Sequence, residues 1–321
     1  MEESILKFNT QFSYVPKLEN GDKLKISSDI LFAGMGGSNL SAGLLGIFRP
    51  FRKIYIHKDY GLPPLPPEIL KEVLFIASSY SGDTEETLDA FHHAMDQGMN
   101  TAVIAGGGRL LKEAKEKLVP YIELPNWGLQ PRAALGLSFR ALLALSNEGE
   151  LLSESAEFSS FDADSLKRSA AEIAESLRGK IPLIYTSSTF APLSYVWKIA
   201  FNETGKTPAF VNVFPELNHN EMNGFDLTEE VRSYFDRFHF IFLQSKRDHR
   251  SVLKRMEITQ KILESRSFSV TALWLTGKTL IEEVFSSVVM GHSVALELAK
   301  IYGRDPNGVP LVAELKKRMD L

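Results

Sequence analysis

The sequence predicts an α/β protein built from two halves, each a mainly parallel sheet flanked by helices in a three-layer αβα arrangement. Short apolar runs rich in β-branched and aromatic residues alternate with helical patterns along the chain, and such alternation indicates parallel strands joined by crossover helices. The polar stretch 153–164 interrupts the alternation near mid-chain. We therefore expect two domains, 1–152 and 153–321.

Each predicted helix or strand is a segment in which the apolar residues keep the spacing typical of that element, and it is bounded by Gly, Pro or polar residues. In the first half, strands are predicted at 29–33, 53–56, 72–78, 101–105 and 121–124, and helices at 38–48, 85–97 and 131–146, with a Pro-rich loop at 61–67. Pro131 suits a first helical position, because no intrahelical bond is lost there. In the second half, strands are predicted at 181–185, 209–213, 239–243 and 268–273, and helices at 191–203, 251–263, 280–302 and 311–319.

Composition narrows the functional classes. The 321 residues are 44% hydrophobic and 24% charged with a net charge of -4, so no basic excess indicates a nucleic-acid partner. Cysteine is absent, which excludes disulfides, thiolate zinc sites and cysteine nucleophiles. The acidic start Met1-Glu2-Glu3-Ser4 lacks the apolar core of a signal peptide, and no apolar run approaches the roughly 18 residues of a membrane span. We expect a cytoplasmic protein without membrane or nucleic-acid partners.

Hydroxyl side chains gather where the third predicted strand gives way to a helix. They are Ser79, Ser81, Thr84 and Thr87, and they flank Gly82. The first N–H groups of a helix lack intrahelical partners and carry the positive end of its dipole, so hydroxyls around them would cradle a phosphate. An ordinary helix cap needs one hydroxyl, and four of them favour phosphate binding. The acidic residues Asp83, Glu85 and Glu86 are expected on the solvent side.

A glycine-rich turn, Gly34-Met35-Gly36-Gly37-Ser38, follows the first strand. It lacks the dinucleotide spacing, because Asn39 stands where the last glycine would be, and it lacks the P-loop lysine. Its glycines allow either tight strand–helix packing or a second wall of the same ligand site. We favour the second interpretation, because the carboxyl ends of parallel strands meet at one edge of a sheet.

Glu203, His219 and Arg132 are further candidates. Glu203 lies in the last turn of a predicted helix, just before Gly205, where the helix dipole disfavours a negative charge. Such a position suits a general base, but a solvent-exposed Glu at a helix end fits the pattern equally well. His219 lies in the polar loop 215–221, whose neighbours could fix one tautomer, although a loop His is often structural. Arg132 begins a helix, which hints at an anion opposite it or at plain exposure. No His-containing metal motif is present, and we expect no metal.

Five short motifs follow one another along the chain between about residue 30 and the C-terminus. They are a Gly-Gly-Ser turn, Ser-x-Ser-Gly-x-Thr-x-Glu-Thr, Pro-Arg-Ala, Asn-Glu-x-x-Lys-x-Pro-Ala and Pro-Glu-Leu-Asn-His-Asn-Glu. Together they resemble the bifunctional phosphoglucose/phosphomannose isomerases, which are built from two sugar isomerase (SIS) domains. The resemblance implies that 1–152 and 153–321 are SIS domains. It also implies aldose–ketose isomerisation of fructose, glucose and mannose 6-phosphates without a metal or organic cofactor.

The resemblance assigns roles by motif. The phosphate would be held by Gly37, Ser38, Ser79, Ser81, Thr84 and Thr87. Glu203 would move a proton between C1 and C2 through a cis-enediolate, and Arg132 would stabilise the enediolate. His219 would assist ring opening in the neighbouring subunit of a homodimer. Lys316 would join ring opening or substrate contact.

Three residues at two places in the chain depart from the family pattern. Two other functions are also found on this scaffold. Asn307 stands where the family often has Thr in Asp-Pro-Thr, and Thr204-Gly205 replaces the usual Asn-Ala. A non-catalytic sugar-phosphate sensor would need neither Glu203 nor His219. The isomerase half of an amidotransferase would need a glutaminase domain with an N-terminal cysteine, and the sequence contains no cysteine. We favour the isomerase, because its site residues are present.

Overall fold

The computed structural model describes residues 1–319, which form two compact units. One unit contains Glu3–Phe161 and the segment from Pro310 onward, and the other contains Asp162–Val309. The first division lies nine residues beyond the predicted boundary at 152/153. Each unit has its own mainly parallel sheet flanked by helices, which confirms the predicted fold class.

The first unit contains a six-stranded sheet in the order β1-β6-β5-β4-β2-β3. Its strands are β1 (Leu18–Glu19), β2 (Ile30–Ala33), β3 (Ile54–His57), β4 (Leu74–Ser79), β5 (Thr101–Ala105) and β6 (Tyr121–Glu123). All neighbours are parallel except β1, which pairs antiparallel with β6 and was not predicted. The central strands β2, β4 and β5 are buried throughout, as strands covered on both faces must be.

Up to Phe161, the described chain of the first unit also contains seven α-helices. They are α1 (Glu2–Leu6), α2 (Leu40–Phe48), α3 (Pro67–Glu72), α4 (Glu85–Asp96), α5 (Gly108–Glu116), α6 (Leu135–Leu145) and α7 (Gly149–Ser155). The helices predicted from 38 and 131 begin later, because Gly36–Asn39 and Pro131–Ala133 form 3-10 turns first. Leu31, Phe75 and Val103 of the sheet pack with Phe91 of α4 and Leu110 of α5 in one buried cluster.

The second unit is built on a four-stranded parallel sheet in the order β10-β9-β7-β8. Its strands are β7 (Ile181–Ser187), β8 (Phe210–Phe214), β9 (Phe238–Gln244) and β10 (Ser269–Trp274), and its helices are α8 (Lys167–Ser176), α9 (Ala191–Glu203), α10 (Glu229–Phe235), α11 (Arg250–Ser265) and α12 (Leu280–Ile301). Tyr185, Phe240 and Phe214 make edge-to-face ring contacts in its core, a geometry that aromatic pairs prefer. The chain then enters α13 (Pro310–Arg318), which groups with the first unit.

The long helix α12 meets the length and composition of a membrane span, with a mean hydropathy of 1.3. The expectation that no segment approaches a span is therefore wrong for α12. In the sequence, Glu282, Glu283 and His292 interrupt the apolar residues of this segment, so that no uninterrupted apolar run of this length is present. In the structure, 78% of its most apolar window is buried within the protein, as in the core helix of an α/β unit.

Candidate functional site

The first unit has a topological switch point between β2 and β4. The two strands are parallel neighbours, and the sheet continues to β3 on one side and to β5 on the other. Ligands of open α/β sheets bind outside the carboxyl ends of the strands at such a point. The Gly34–Ser38 turn follows β2 and the hydroxyl loop (residues 79–84) follows β4, so both predicted walls lie at this edge.

The hydroxyl loop is held by its own side chains. Ser79 Oγ lies 2.9 Å from Thr84 Oγ1 and 3.4 Å from Ser81 Oγ, and it accepts a hydrogen bond of 3.0 Å from the N–H of Gly82. Ser38 joins the two walls, because its Oγ accepts from the N–H of Tyr80 at 3.1 Å. The structure thus brings the predicted Ser38, Ser79, Ser81 and Thr84 together.

The start of α4 has the features of an anion site. Thr84 is the N-cap residue but its side chain caps no N–H group, because its hydroxyl bonds Ser79 instead. Thr87, in the first turn, is 1% exposed, and its Oγ1 has no hydrogen-bond partner among residues 1–319. A buried hydroxyl without a partner is unfavourable. A phosphate bound at the start of α4 could accept hydrogen bonds from the uncapped N–H groups and from the hydroxyl of Thr87.

The acidic residues of this segment are engaged elsewhere. Asp83 is exposed, and its Oδ1 accepts from the N–H of Arg109 at 2.9 Å. Glu85 is exposed, and its Oε2 accepts from the hydroxyl of Tyr60 at 3.1 Å. The expected solvent position is confirmed for both, whereas Glu86 is half-buried.

Arg132 lies against the glycine-rich turn. A Cβ on Gly37 would stand 2.6 Å from the backbone N of Arg132, so glycine is required for this close approach. Arg132 is 1% exposed, which excludes the alternative of a plainly exposed arginine. A buried guanidinium needs anionic or polar partners, and it stands beside the turn that carries Ser38.

A second glycine turn was missed by the sequence argument. Gly106, Gly107 and Gly108 follow β5, and the N–H of Gly106 donates to the carbonyl of Tyr80 at 3.1 Å. Three consecutive glycines after the strand next to β4 were a readable signal, since glycine permits close backbone approach.

Glu203 is the last residue of α9 and is half-buried. Lys206 adopts a positive φ of 52° and donates from Nζ to the carbonyls of Glu203 and of Gly308, the latter at 2.7 Å. Sequence reasoning gave Lys206 no role, although it belongs to the same motif as Glu203. The structure shows that it ties the end of α9 to the turn that contains Asn307.

That turn is closed by Asp305. Its carboxylate accepts from the N–H groups of Asn307 and Gly308, each at 2.9 Å. These bonds, with Lys206 nearby, hold the pKa of Asp305 below its usual value. The departure from the family pattern at Asn307 therefore lies in a hydrogen-bonded turn next to the end of α9.

His219 lies in an exposed 3-10 turn, Glu216–His219. The neighbours expected to fix its tautomer are engaged elsewhere: Glu216 accepts from Asn220 at 2.9 Å, and Asn218 donates to Thr259 at 2.9 Å. Within the described chain, 1–319, no hydrogen bond holds the ring of His219. The expectation that these neighbours fix its tautomer is therefore wrong.

The loop behind His219 is firmly anchored. Glu221 accepts hydrogen bonds from the hydroxyl of Tyr185 and from Asn212. Burial, reinforced by this carboxylate, raises the pKa of Tyr185 far above its usual value. His219 is consequently an exposed side chain on a fixed loop.

Lys316 is exposed on α13, a helix without a buried residue. The structure does not connect it with the other candidates. Among residues 1–319, no group of three or more His, Asp or Glu side chains could hold a metal ion.

The fold and the hydroxyl-lined edge define an SIS-type phosphosugar protein. The family described as the bacterial phospho-glucose isomerase C-terminal SIS domain matches residues 166–319. Bifunctional phosphoglucose/phosphomannose isomerases from Aquifex aeolicus and Caldicellulosiruptor bescii are 34% and 33% identical over 301 and 321 residues, covering 90% and 94% of this chain and 90% and 91% of theirs. The chain belongs to the bifunctional phosphoglucose/phosphomannose isomerase family.

A solved structure supports the fold alone. Glucosamine-6-phosphate deaminase from Thermotoga maritima superposes with a TM-score of 0.62 at 17% identity, covering 96% of this chain and 95% of that one. At this identity the likeness carries the two-unit architecture and no statement about the reaction.

Proposed function

We propose that the protein interconverts fructose 6-phosphate with glucose 6-phosphate and mannose 6-phosphate. The observation that carries this proposal is the hydroxyl-lined start of α4, with the buried hydroxyl of Thr87, in a chain that belongs to a family of named isomerases. The binding energy of the remote phosphate would position the reacting carbons. Gly37, Ser38, Ser79, Ser81, Thr84 and Thr87 would hold that phosphate.

Glu203 is the proposed base. The proton on C2 of an aldose phosphate, or on C1 of the ketose, is weakly acidic, so a carboxylate must accept it and return it to the neighbouring carbon. General base catalysis of this kind contributes roughly 10²–10⁴-fold. Arg132 would stabilise the negative oxygen of the cis-enediolate that forms between the two proton transfers.

Ring opening precedes the proton transfer, and His219 is its proposed catalyst. Its exposure on an anchored loop supports action in the neighbouring subunit of a homodimer, with Lys316 joining ring opening or substrate contact. We place the protein in the cytoplasm, with hexose 6-phosphates as its substrates and without an organic or metal cofactor.

The test is turnover of fructose 6-phosphate in excess EDTA, with glucose 6-phosphate and mannose 6-phosphate assayed separately. Both products are expected. Glucose 6-phosphate alone would restrict the proposal to one epimer and direct attention to Asn307. If fructose 6-phosphate bound without turnover, the proposal would be replaced by a sugar-phosphate sensor.

Glu203→Gln tests the base. The variant should bind fructose 6-phosphate nearly as the wild type does and lose turnover by roughly 10²-fold or more, since the amide cannot accept the proton. Glu216→Gln, on the exposed loop, is a control for the loss of one carboxylate. Retained turnover in Glu203→Gln would remove Glu203 from the role of base.

A further inference from the structure

We infer that the glycine turn (residues 106–109) is a positioning element that fixes the hydroxyl loop in its phosphate-binding conformation. This inference rests on the proposed function. It concerns residues that are not among the proposed catalytic or phosphate-binding residues. It is carried by hydrogen bonds between the two turns and by the absence of space for side chains at their contact.

The two turns are bonded along their length. The N–H of Gly106 donates to the carbonyl of Tyr80 at 3.1 Å, and the N–H of Leu110 donates to the carbonyl of Gly82 at 2.9 Å. Between them, the N–H of Arg109 donates to Asp83 Oδ1 at 2.9 Å. Three residues of the hydroxyl loop are therefore held by three N–H groups, one from the glycine turn and two from the first residues of α5.

Side chains cannot enter this contact. A Cβ on Gly82 would stand 1.8 Å from the carbonyl oxygen of Gly107, and a Cβ on Gly108 would stand 2.5 Å from the carbonyl oxygen of Ser81. Both glycines also have positive φ, +78° and +65°, which disfavours any other residue. The opposing atoms are backbone, so a larger residue must displace the loop itself.

Displacement of this backbone would reach the phosphate ligands directly. The N–H of Gly82 is bonded to Ser79 Oγ at 3.0 Å, and the N–H of Asp83 is bonded to Ser81 Oγ at 3.3 Å. The hydroxyls therefore follow the position of residues 82 and 83. The bond from Arg109 also engages the carboxylate of Asp83 at the start of α5, where the helix dipole favours negative charge, and so turns it away from the phosphate.

The decisive experiment compares Gly108→Ala with Gly98→Ala. Gly98 has the same φ of +65°, but a Cβ there meets nothing within 4 Å, so it controls for backbone strain. Affinity for inorganic phosphate is measured by titration calorimetry, with KM and kcat for fructose 6-phosphate measured beside it. Gly108→Ala should weaken phosphate binding and raise KM together, on the order of tenfold, because a small misplacement of a binding group has large effects. Gly98→Ala should change neither, and wild-type phosphate affinity in a folded Gly108→Ala protein would overturn the inference.

Asp83 supplies a second test should Gly108→Ala fail to fold. Asp83→Asn keeps an oxygen for the N–H of Arg109, whereas Asp83→Ala removes it, and both lack the charge. Phosphate should bind several-fold more weakly to Asp83→Ala than to Asp83→Asn, on the order of the loss of one hydrogen bond. Equal affinities would overturn the inference. If the two variants differ in phosphate affinity as expected but the wild type lacks isomerase activity, the inference stands and the proposed function fails.

Discussion

At the scale of single residues, the proposed phosphate ligand Thr87 would link stability to ligand binding. Its hydroxyl is buried and has no partner among the described residues, a state that costs about 1–3 kcal/mol. Thr87→Val keeps the shape and removes the hydroxyl. We expect the ligand-free variant to be as stable as the wild type or more stable, while KM for fructose 6-phosphate rises roughly tenfold.

Thermal unfolding with and without phosphate, beside steady-state kinetics, checks this expectation. Thr101→Val is a matched control, because Thr101 is also buried but its hydroxyl donates to the carbonyl of Met99 at 3.0 Å. The control should lose stability and keep its KM. A destabilised Thr87→Val protein with unchanged KM would show that the hydroxyl serves the fold alone.

His239 makes stability depend on pH. Burial, with Lys180 nearby, lowers the pKa of His239 to about 4 from its ordinary 6.5. Below pH 6.5 the unfolded chain therefore binds a proton that the folded chain excludes. Stability should fall between pH 6.5 and pH 4, by about 3 kcal/mol in total.

Denaturant unfolding of the wild type and of His239→Gln across this pH window measures the contribution. The difference between the two should shrink as pH falls, since only the wild type pays to keep its ring neutral. His93→Gln, an exposed histidine, should follow the wild type. A constant difference between the wild type and His239→Gln from pH 6.5 to 4 would contradict the shift.

At the scale of elements, Lys206 connects the end of α9 to the Asp305–Gly308 turn through the carbonyls of Glu203 and Gly308. A lysine near a helix C-terminus stabilises its last carbonyls. Lys206→Met removes both bonds, so we expect the orientation of Glu203 to loosen and kcat to fall roughly tenfold with a smaller change in KM.

Lys198→Met provides the control for this variant, because it removes one lysine from the same helix without touching its end. In steady-state kinetics, the kcat and KM of Lys198→Met should be close to those of the wild type. Equal kcat values for the two variants would mean that Lys206 has no part in orienting Glu203.

The elements also show how far the sequence can be read. Strand β8 and helix α12 lie within one residue of their predicted limits, because each is a predominantly apolar segment that begins just after a loop residue, Pro208 for β8 and Lys278 and Thr279 for α12. Helix α8 was not predicted, because it lies in a polar stretch and buries only Ala170, Ile173 and Ala174. The hydroxyl loop was visible as a local motif. Its contact with the glycine turn was not, since residues 80–83 and 106–109 meet only through the pairing of β4 with β5.

At the scale of the whole molecule, the two units differ at the same topological point. In the second unit the strand order reverses between β7 and β9, and there Asp248 Oδ2 accepts from the N–H of Ser245 at 3.0 Å while Glu283 accepts from the hydroxyl of Ser245 at 3.1 Å. Both carboxylates are buried, and burial raises the pKa of Asp248. Arg247 also pairs with Glu283 at 2.9 Å, so this edge is filled by the protein's own hydrogen-bonded groups, in agreement with the proposal that the phosphate binds in the first unit.

The proposed homodimer makes a prediction that separates donated from internal action of His219. Glu203→Gln and His219→Ala are each expected to be inactive as homodimers. If His219 acts in the partner's site, a mixed dimer has one site with both defects and one site with neither. Subunit exchange at equal concentrations should then restore about a quarter of wild-type activity, the statistical share of intact sites in a two-fold assembly. If His219 acts within its own subunit, every site in the mixed dimer keeps one defect and the mixture stays inactive. Turnover of fructose 6-phosphate after mixing decides between the two, and native mass spectrometry of the same mixture measures the extent of subunit exchange.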